Sequence, residues 1–228
     1  MSNMLSIIIP TFNEEANIAD ILTHIKELPG NKEIILVDGG SEDRTVEKAT
    51  GLFDRLVISK KGRGKQLNAG AAEARGDIYL FLHSDSRLDR NALLAIEKAL
   101  QDPAVAGGCF QLKIDDDSYL LRFISYTSNL RAKFLKIIFG DQGIFVRGDI
   151  FQRIGGYPEI DLMEDWEFSR ILSSVGKLAF LEERIYTSAR RFKKYGILRT
   201  ILLMQKIKLL YLMGVAPTRL NDIYRKSS

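Results

Sequence analysis

Several short polar stretches in this chain follow directly on apolar runs, and each holds a residue able to bind an anion, hold a cation or move a proton. After Ile78–Leu82 comes His83-Ser84-Asp85, and after Glu33–Val37 comes Asp38-Gly39-Gly40-Ser41. The carboxyl ends of central strands in open α/β sheets line the ligand crevice. A carboxylate there, Asp85 above all, is poised to hold a divalent cation on a phosphorylated ligand. Asp38 in the same setting can bind a ribose or a base edge, or simply cap the next helix. The basic stretch Lys60–Lys65 places glycine N–H groups and cations where phosphates dock, although it lacks the spacing of a P-loop. Glu164-Asp165 opens a helix. One of the two can take a proton from a hydroxyl while the other orients the site, or both can serve only as dipole complements. Arg190-Arg191 offers paired planar donors for a diphosphate. Of the two histidines, His83 is placed to touch phosphate or a metal ligand, and His24 sits in a helical pattern as a structural residue.

Such groups act together only if the fold carries them to one place. Leu5–Ile9, Glu33–Val37, Leu56–Ile58 and Ile78–Leu82 are apolar runs of strand length. A strand apolar on both faces is covered on both, which points to a parallel sheet. Helical spacing of apolar residues separates them: Ile18 to Leu28, Arg44 to Thr50 (capped by Ser41) and about Gln66 to Ala74. Pro10 is expected to stop the first ladder. Further on the chain predicts a helix over 88–100, a strand over 105–114, a basic apolar helix or helix pair over 119–139 and a strand over 143–147. A helical turn over 149–154, a helix to Val175, strands at 178–180 and 185–187, and a final helix over 195–215 follow. Alternation of β and α with short links means right-handed crossovers.

The 228 residues suit one sizeable α/β domain. A single cysteine, Cys109, excludes an internal disulfide, fits a reducing compartment and reads as a buried structural thiol. No leader-like segment opens the chain and no stretch reaches the length of a membrane span. From Arg184 onward eleven Lys and Arg face only Asp222, a net charge of +10, so the rest carries −6 and the whole +4. A basic end of this kind suits an anionic partner or is merely solvated.

Taken together, Ser6–Glu14, Val37–Ser41, Gly64–Gly70, Phe81–Asp85 and Met163–Asp165 resemble family 2 glycosyltransferases in order and spacing, over roughly residues 4–192. The resemblance implies the GT-A fold, an α/β nucleotide-binding and mostly parallel sheet flanked by helices. It implies a nucleotide-sugar donor and a divalent metal, Mn2+ or Mg2+. By position Pro10, Thr11, Asn13, Glu14, Asp38, Gly39, Gly64, Lys65 and Ser84 would hold the donor, with Arg190 and Arg191 on its diphosphate. Asp85 matches the metal-binding acid and Asp165, beside Glu164, the base of an inverting displacement. The chain departs from the pattern at His83, where the family has the first acid of DxD, and at Gly39, where a second acid is usual. The QxxRW motif of processive members is absent.

The expected organisation is a GT-A domain over 1–192 and a basic, apolar helical extension over 193–228. Two other readings compete: a sugar-1-phosphate nucleotidyltransferase, and a non-catalytic module binding nucleotide sugars or a membrane surface. Nucleic acid is not among the expected partners. Apolar residues surround the 195–215 helix, so it must meet two partners. One is the body of the protein. The other is a second copy, a lipid-linked acceptor or the inner face of an anionic membrane, unless the helix is packed all round. A cytoplasmic location is expected.

Overall fold

The computed structural model describes residues 4–226. Its first half alternates as the apolar runs require: β1 (Leu5–Thr11), α1 (Ile18–Glu27), β2 (Lys32–Asp38), α2 (Thr45–Ala49), β3 (Arg55–Ile58), α3 (Arg63–Ala72) and β4 (Ile78–Phe81). The second half runs β5 (Ser86–Leu88), α4 (Ala92–Ala99), β6 (Val105–Asp115), α5 (Tyr119–Leu130), a π-helical turn (Arg131–Leu135) and a 3-10 turn (Gly140–Gln142). It continues with β7 (Ile144–Arg147), α6 (Gly148–Arg153), α7 (Glu164–Val175), β8 (Lys177–Ser188), α8 (Arg190–Tyr195), α9 (Ile197–Leu212) and α10 (Pro217–Lys226).

Eight strands among the described residues form one sheet in the order β3-β2-β1-β4-β7-β6-β8-β5. Four of its pairings are parallel and three antiparallel. Both faces are covered. Ile7 and Ile9 of β1 point into a core shared with α1 and α4, while Ile8 between them joins Leu67, Phe81 and Phe168 on the opposite face. This alternation of equally apolar residues is why the central strands read as unbroken hydrophobic runs.

The reversal of β7 decides where the site forms. Phe81 of β4 lies opposite Ile144 of β7, the first residue of an antiparallel neighbour. The segment just before β7, Gly140–Gln142, therefore arrives at the edge where β1, β2 and β4 end. β8 runs parallel to β6 and reaches the same edge at Ser188, so α8 starts there as well.

Five expectations need correction. β1 does not stop at Pro10, which stays in register opposite Val37. Ser41 does not cap α2: the first turn is closed by Asp43, whose Oδ1 accepts the Thr45 N–H at 3.0 Å. α3 begins at Arg63, so Gly64 and Lys65 lie in a helix rather than in a basic loop. The two short strands after α7 are one, with a register shift that absorbs the polar stretch around Glu182 and Glu183. The helix expected over 195–215 is α9 and is not the last: after Gly214, at φ +84°, a further helix, α10, follows.

His24 and Cys109 are structural, as expected. His24 Nε2 sits 3.0 Å from the Leu88 carbonyl oxygen. Cys109 is buried, and burial pushes its thiol far above the ordinary range.

Candidate active site

One flank of the site is a pair of laced loops. Thr11 and Asp38 end neighbouring parallel strands in register. Asp38 Oδ2 accepts the N–H groups of Gly40 and Ser41, both at 2.9 Å, and Oδ1 accepts the Ser41 hydroxyl at 2.5 Å. Ser41 Oγ in turn accepts the Asn13 N–H at 2.9 Å, and Asn13 Oδ1 accepts the Glu42 N–H at 2.9 Å. Asn13 stands at φ +54°, a left-handed position that asparagine tolerates. Asp38 is thus consumed by its own loop, and its carboxylate shapes the cradle.

Beneath the loops lies Gln66, which the sequence did not single out. Its Nε2 donates to the carbonyl oxygens of Thr11 and Val37, each at 3.0 Å. A Cβ on Gly39 would stand 3.0 Å from that same Nε2. A side chain at position 39 would crowd Gln66, whose amide would have to give by a few tenths of an ångström. Gly64 is likewise committed: a Cβ there would come within 2.7 Å of the Pro158 carbonyl oxygen.

Toward β8, Arg190 Nη2 donates to both oxygens of Glu14, at 2.9 and 3.1 Å. These two predicted site residues neutralise one another and tie the first loop to the start of α8. Arg191 turns away, its guanidinium 4.1 Å over the Tyr224 ring. Lys65 is exposed, two residues along α3 from Arg63 and on another side of the helix. Ser84 is buried and Asp85 half-buried at the end of β4. Burial, then the charge of Glu14, raises the Asp85 carboxyl above its ordinary range, against Arg63 and Arg190.

The other flank is a pocket of buried acids. Glu164 and Asp165 open α7 behind Met163, held at φ +72°. They are 5% and 4% exposed. Arg63 Nε stands 3.8 Å from Glu164 Oε1, and Arg63 Nη1 3.9 Å from Asp165 Oδ2. Those separations allow charge attraction without direct hydrogen bonds. Asp165 Oδ2 accepts the Gly140 N–H at 2.8 Å, while its buried Oδ1 has no partner. Burial raises both carboxyls, Glu164 also through the charge of Asp165, and Arg63 pulls both down. Asp141 Oδ1 and the Tyr157 hydroxyl are also buried without partners. Burial pushes Asp141 up, and Tyr157 too, the latter reinforced by Asp165 and Glu164.

His83 joins the flanks. Its Nδ1 lies 3.4 Å from Arg63 Nη2. Burial and the Arg63 charge hold its ring neutral, well below its ordinary pKa. Gly140 is required beside it, since a Cβ would stand 2.5 Å from His83 Nε2 and 2.8 Å from Asp165 Oδ2. Arg63 is therefore the hub of the site. Partial burial works against its charge, and four acids, Asp165 first, then Glu164, Asp85 and Asp141, more than offset that.

The residues around Asp85 fit a hard divalent cation that shares a phosphorylated ligand. Among the described residues no three His, Cys, Asp or Glu are grouped to hold a metal alone. A Mg2+-type ion asks for only one or two carboxylates when phosphate oxygens complete its shell. Asp85, half-buried at the end of β4, has the chemistry of such a carboxylate.

Residues 6–155 match the family described as glycosyl transferase family 2. A PGL/p-HBAD biosynthesis glycosyltransferase of Mycobacterium bovis is 30% identical over 182 residues, covering 73% of this chain and 68% of that one. A dolichol-phosphate mannosyltransferase of Pyrococcus furiosus is 36% identical over 89 residues, 36% of this chain but only 25% of its relative. Among solved structures, the mannosyltransferase PcManGT from Pyrobaculum calidifontis, in complex with GDP-Man and Mn2+, superimposes with a TM-score of 0.68 at 20% identity, over 98% of this chain and 68% of that one. S. aureus TarS 1-349 in complex with UDP-GlcNAc gives 0.65 at 19% identity, over 81% and 58%. At such identities the structural likeness speaks for the GT-A fold.

Proposed function

Because the chain belongs to glycosyl transferase family 2, we propose that it moves a sugar from a nucleoside diphosphate sugar to an acceptor hydroxyl, with inversion at the anomeric carbon. The observation that carries this reading is the meeting of laced loops, Asp85 and the Arg63–Glu164–Asp165 group at one sheet edge. Asp165 is the base. Its partnerless Oδ1 is free to take the proton of the acceptor hydroxyl, and burial, by raising its pKa, makes it a stronger base. The hydroxyl oxygen bonds to the anomeric carbon as the bond to the diphosphate breaks. Glu164 shares the field of Arg63 and orients the pocket. Pro10, Thr11, Asn13, Asp38 and Gly39 frame the nucleotide. Glu14 holds Arg190 beside the diphosphate, with Ser84 nearby, while Arg191, turned onto the Tyr224 ring, and Lys65, on another side of α3, stand outside these surroundings. When bound, Mn2+ or Mg2+ would be held by Asp85 and would supply Lewis-acid neutralisation of the leaving diphosphate.

The division into a transferase domain over 1–192 and an extension over 193–228 remains our reading, with α8 running across the boundary. The acceptor is a lipid-linked hydroxyl and the place of action the cytoplasmic face of a membrane. That location rests on the basic segment from Arg184 onward and the lone buried Cys109.

Nucleoside diphosphate sugars screened by thermal shift test the donor, since a ligand that binds only the folded state raises Tm. At least one should raise Tm more with Mn2+ than without. No shift from any of them would sink the reading. Pyrophosphate release from a nucleoside triphosphate and a sugar 1-phosphate would favour the nucleotidyltransferase instead. Asp85→Ala should abolish the Mn2+ dependence of the shift and His83→Ala should largely keep it, because only the carboxylate is a good hard-cation ligand. Equal loss in both would reassign the metal site.

A further inference from the structure

We propose that the exposed apolar stripes of the Tyr119–Leu135 segment and of α9 form one surface that docks on an anionic lipid bilayer. Tyr119, Phe123, Tyr126, Leu130 and Phe134 recur every three or four residues, which puts them on one line of the α5 and π-helical segment. Tyr119 is 86% exposed and Phe134 68%. On α9, Leu198, Leu202, Leu209 and Leu212 form a second exposed line, Leu202 at 69%. Neither line serves the fold. The inward face of α9 is occupied separately: Thr200 and Ile207 are buried, and Ile201 and Met204 pack on the main core. The helix that the sequence described as apolar all round has one face on the body and one face bare.

The two segments are neighbours. The Phe139 ring receives Arg131 at 4.4 Å from one side of the chain and Lys208 of α9 at 5.3 Å from the other. Lys193 of α8 pairs with Asp116, just before α5, at 3.1 Å.

Charge selects the occupant. No Asp or Glu occurs from Ser118 to Gly140 or from Arg184 to Asn221. Arg122, Lys133, Lys136, Arg199 and Lys206 stand exposed among the apolar side chains. Leu and Phe gain by entering an acyl boundary while cations meet lipid phosphates. Nucleic acid would reward the cations but not the leucines. A two-fold pairing of this face with a second copy would set cations against cations. No described helix is long and apolar enough to cross a membrane, so the segments would lie on the surface. The π-helical turn leads through Phe139 into Gly140, which touches Asp165, so docking would bring the bilayer beside the acid pocket.

The inference deepens the proposed location and rests on that reading, while its test does not depend on sugar transfer. The full chain is floated with vesicles of phosphatidylcholine alone and of phosphatidylcholine with phosphatidylglycerol, at low and high salt. It should rise with the anionic vesicles only and be released by salt. Lys133→Gln and Lys206→Gln should each weaken partition about fivefold. Phe134→Ser and Leu202→Ser should weaken it too, with melting unchanged. No flotation with anionic vesicles, or equal flotation with neutral ones, overturns the proposal. So does a salt-insensitive dimer in solution that Phe134→Ser splits. The thermal shift with nucleoside diphosphate sugars, measured on the same sample, separates a failed docking surface from a failed donor site.

Discussion

The laced loops and the acid pocket are built from the same kinds of residue in opposite ways. In the loops nearly every polar group has a local partner: Asp38 alone accepts three hydrogen bonds. In the pocket the acids are buried with too few partners. Of the four buried side-chain oxygens without a partner among the described residues, three belong to Asp141, Tyr157 and Asp165, and one to Thr11. A satisfied carboxylate is scaffold, whereas a buried carboxylate lacking partners has a raised affinity for protons. The difference assigns shape to one flank and proton chemistry to the other.

The largest effect expected from breaking this contrast is on rate. Asp165→Asn keeps the shape of the pocket and removes its proton acceptor. Transfer should fall by about 10²–10⁴-fold, while the melting shift with donor persists. Unchanged transfer would move the role to Glu164.

Next comes the scaffold. Asp38→Ala deletes the acceptor of three loop bonds and should cost about 2 kcal/mol of stability. Donor KM should rise more than kcat falls. Chemical denaturation and steady-state kinetics read both, and a selective loss of kcat would contradict the scaffold role.

Arg63→Gln sharpens the pocket's side of the contrast. Arg63 opposes the upward pull of burial on Asp165, so without it the carboxyl ionises at higher pH. A base works deprotonated, so the acid limb of the kcat–pH profile should move up in pH. A downward move would mean that Arg63 does not face the base.

The smallest effect is a gain in stability. Burial, with Asp165, raises Glu164 to about 7 in the folded chain. Between its unfolded value and that pH the folded state holds the extra proton, so stability falls as pH rises through the window. Glu164→Gln removes the penalty. Tm should rise roughly 2–4 °C at pH 8, and much less at pH 5, where the native carboxyl is still protonated. Equal gains at both pH values would exclude titration as the cause.

Much of this was legible in the chain. Buried strands announce themselves as apolar runs, and Asp85 and Asp165 stand out because motifs mark them. What stayed hidden depends on register. Arg63 and Lys65 look equivalent in a basic run, and only the start of α3 decides which of them faces the acids. Asp141 and Gly140 reach the pocket because β7 runs backwards beside β4, a pairing that no local pattern encodes. Gln66 was invisible because its work is done on carbonyl oxygens of two distant strands. Glu182 and Glu183 looked like a break because charge normally interrupts a strand, yet β8 continues past them along β6.

The contact between position 39 and Gln66 also couples the two positions. A side chain at 39 presses on the Gln66 amide, since even its Cβ would stand 3.0 Å away. Gln66 cannot leave without abandoning the two carbonyl oxygens it bridges. Changes at Gly39 and Gln66 should therefore be non-additive in stability, because the two positions share one space.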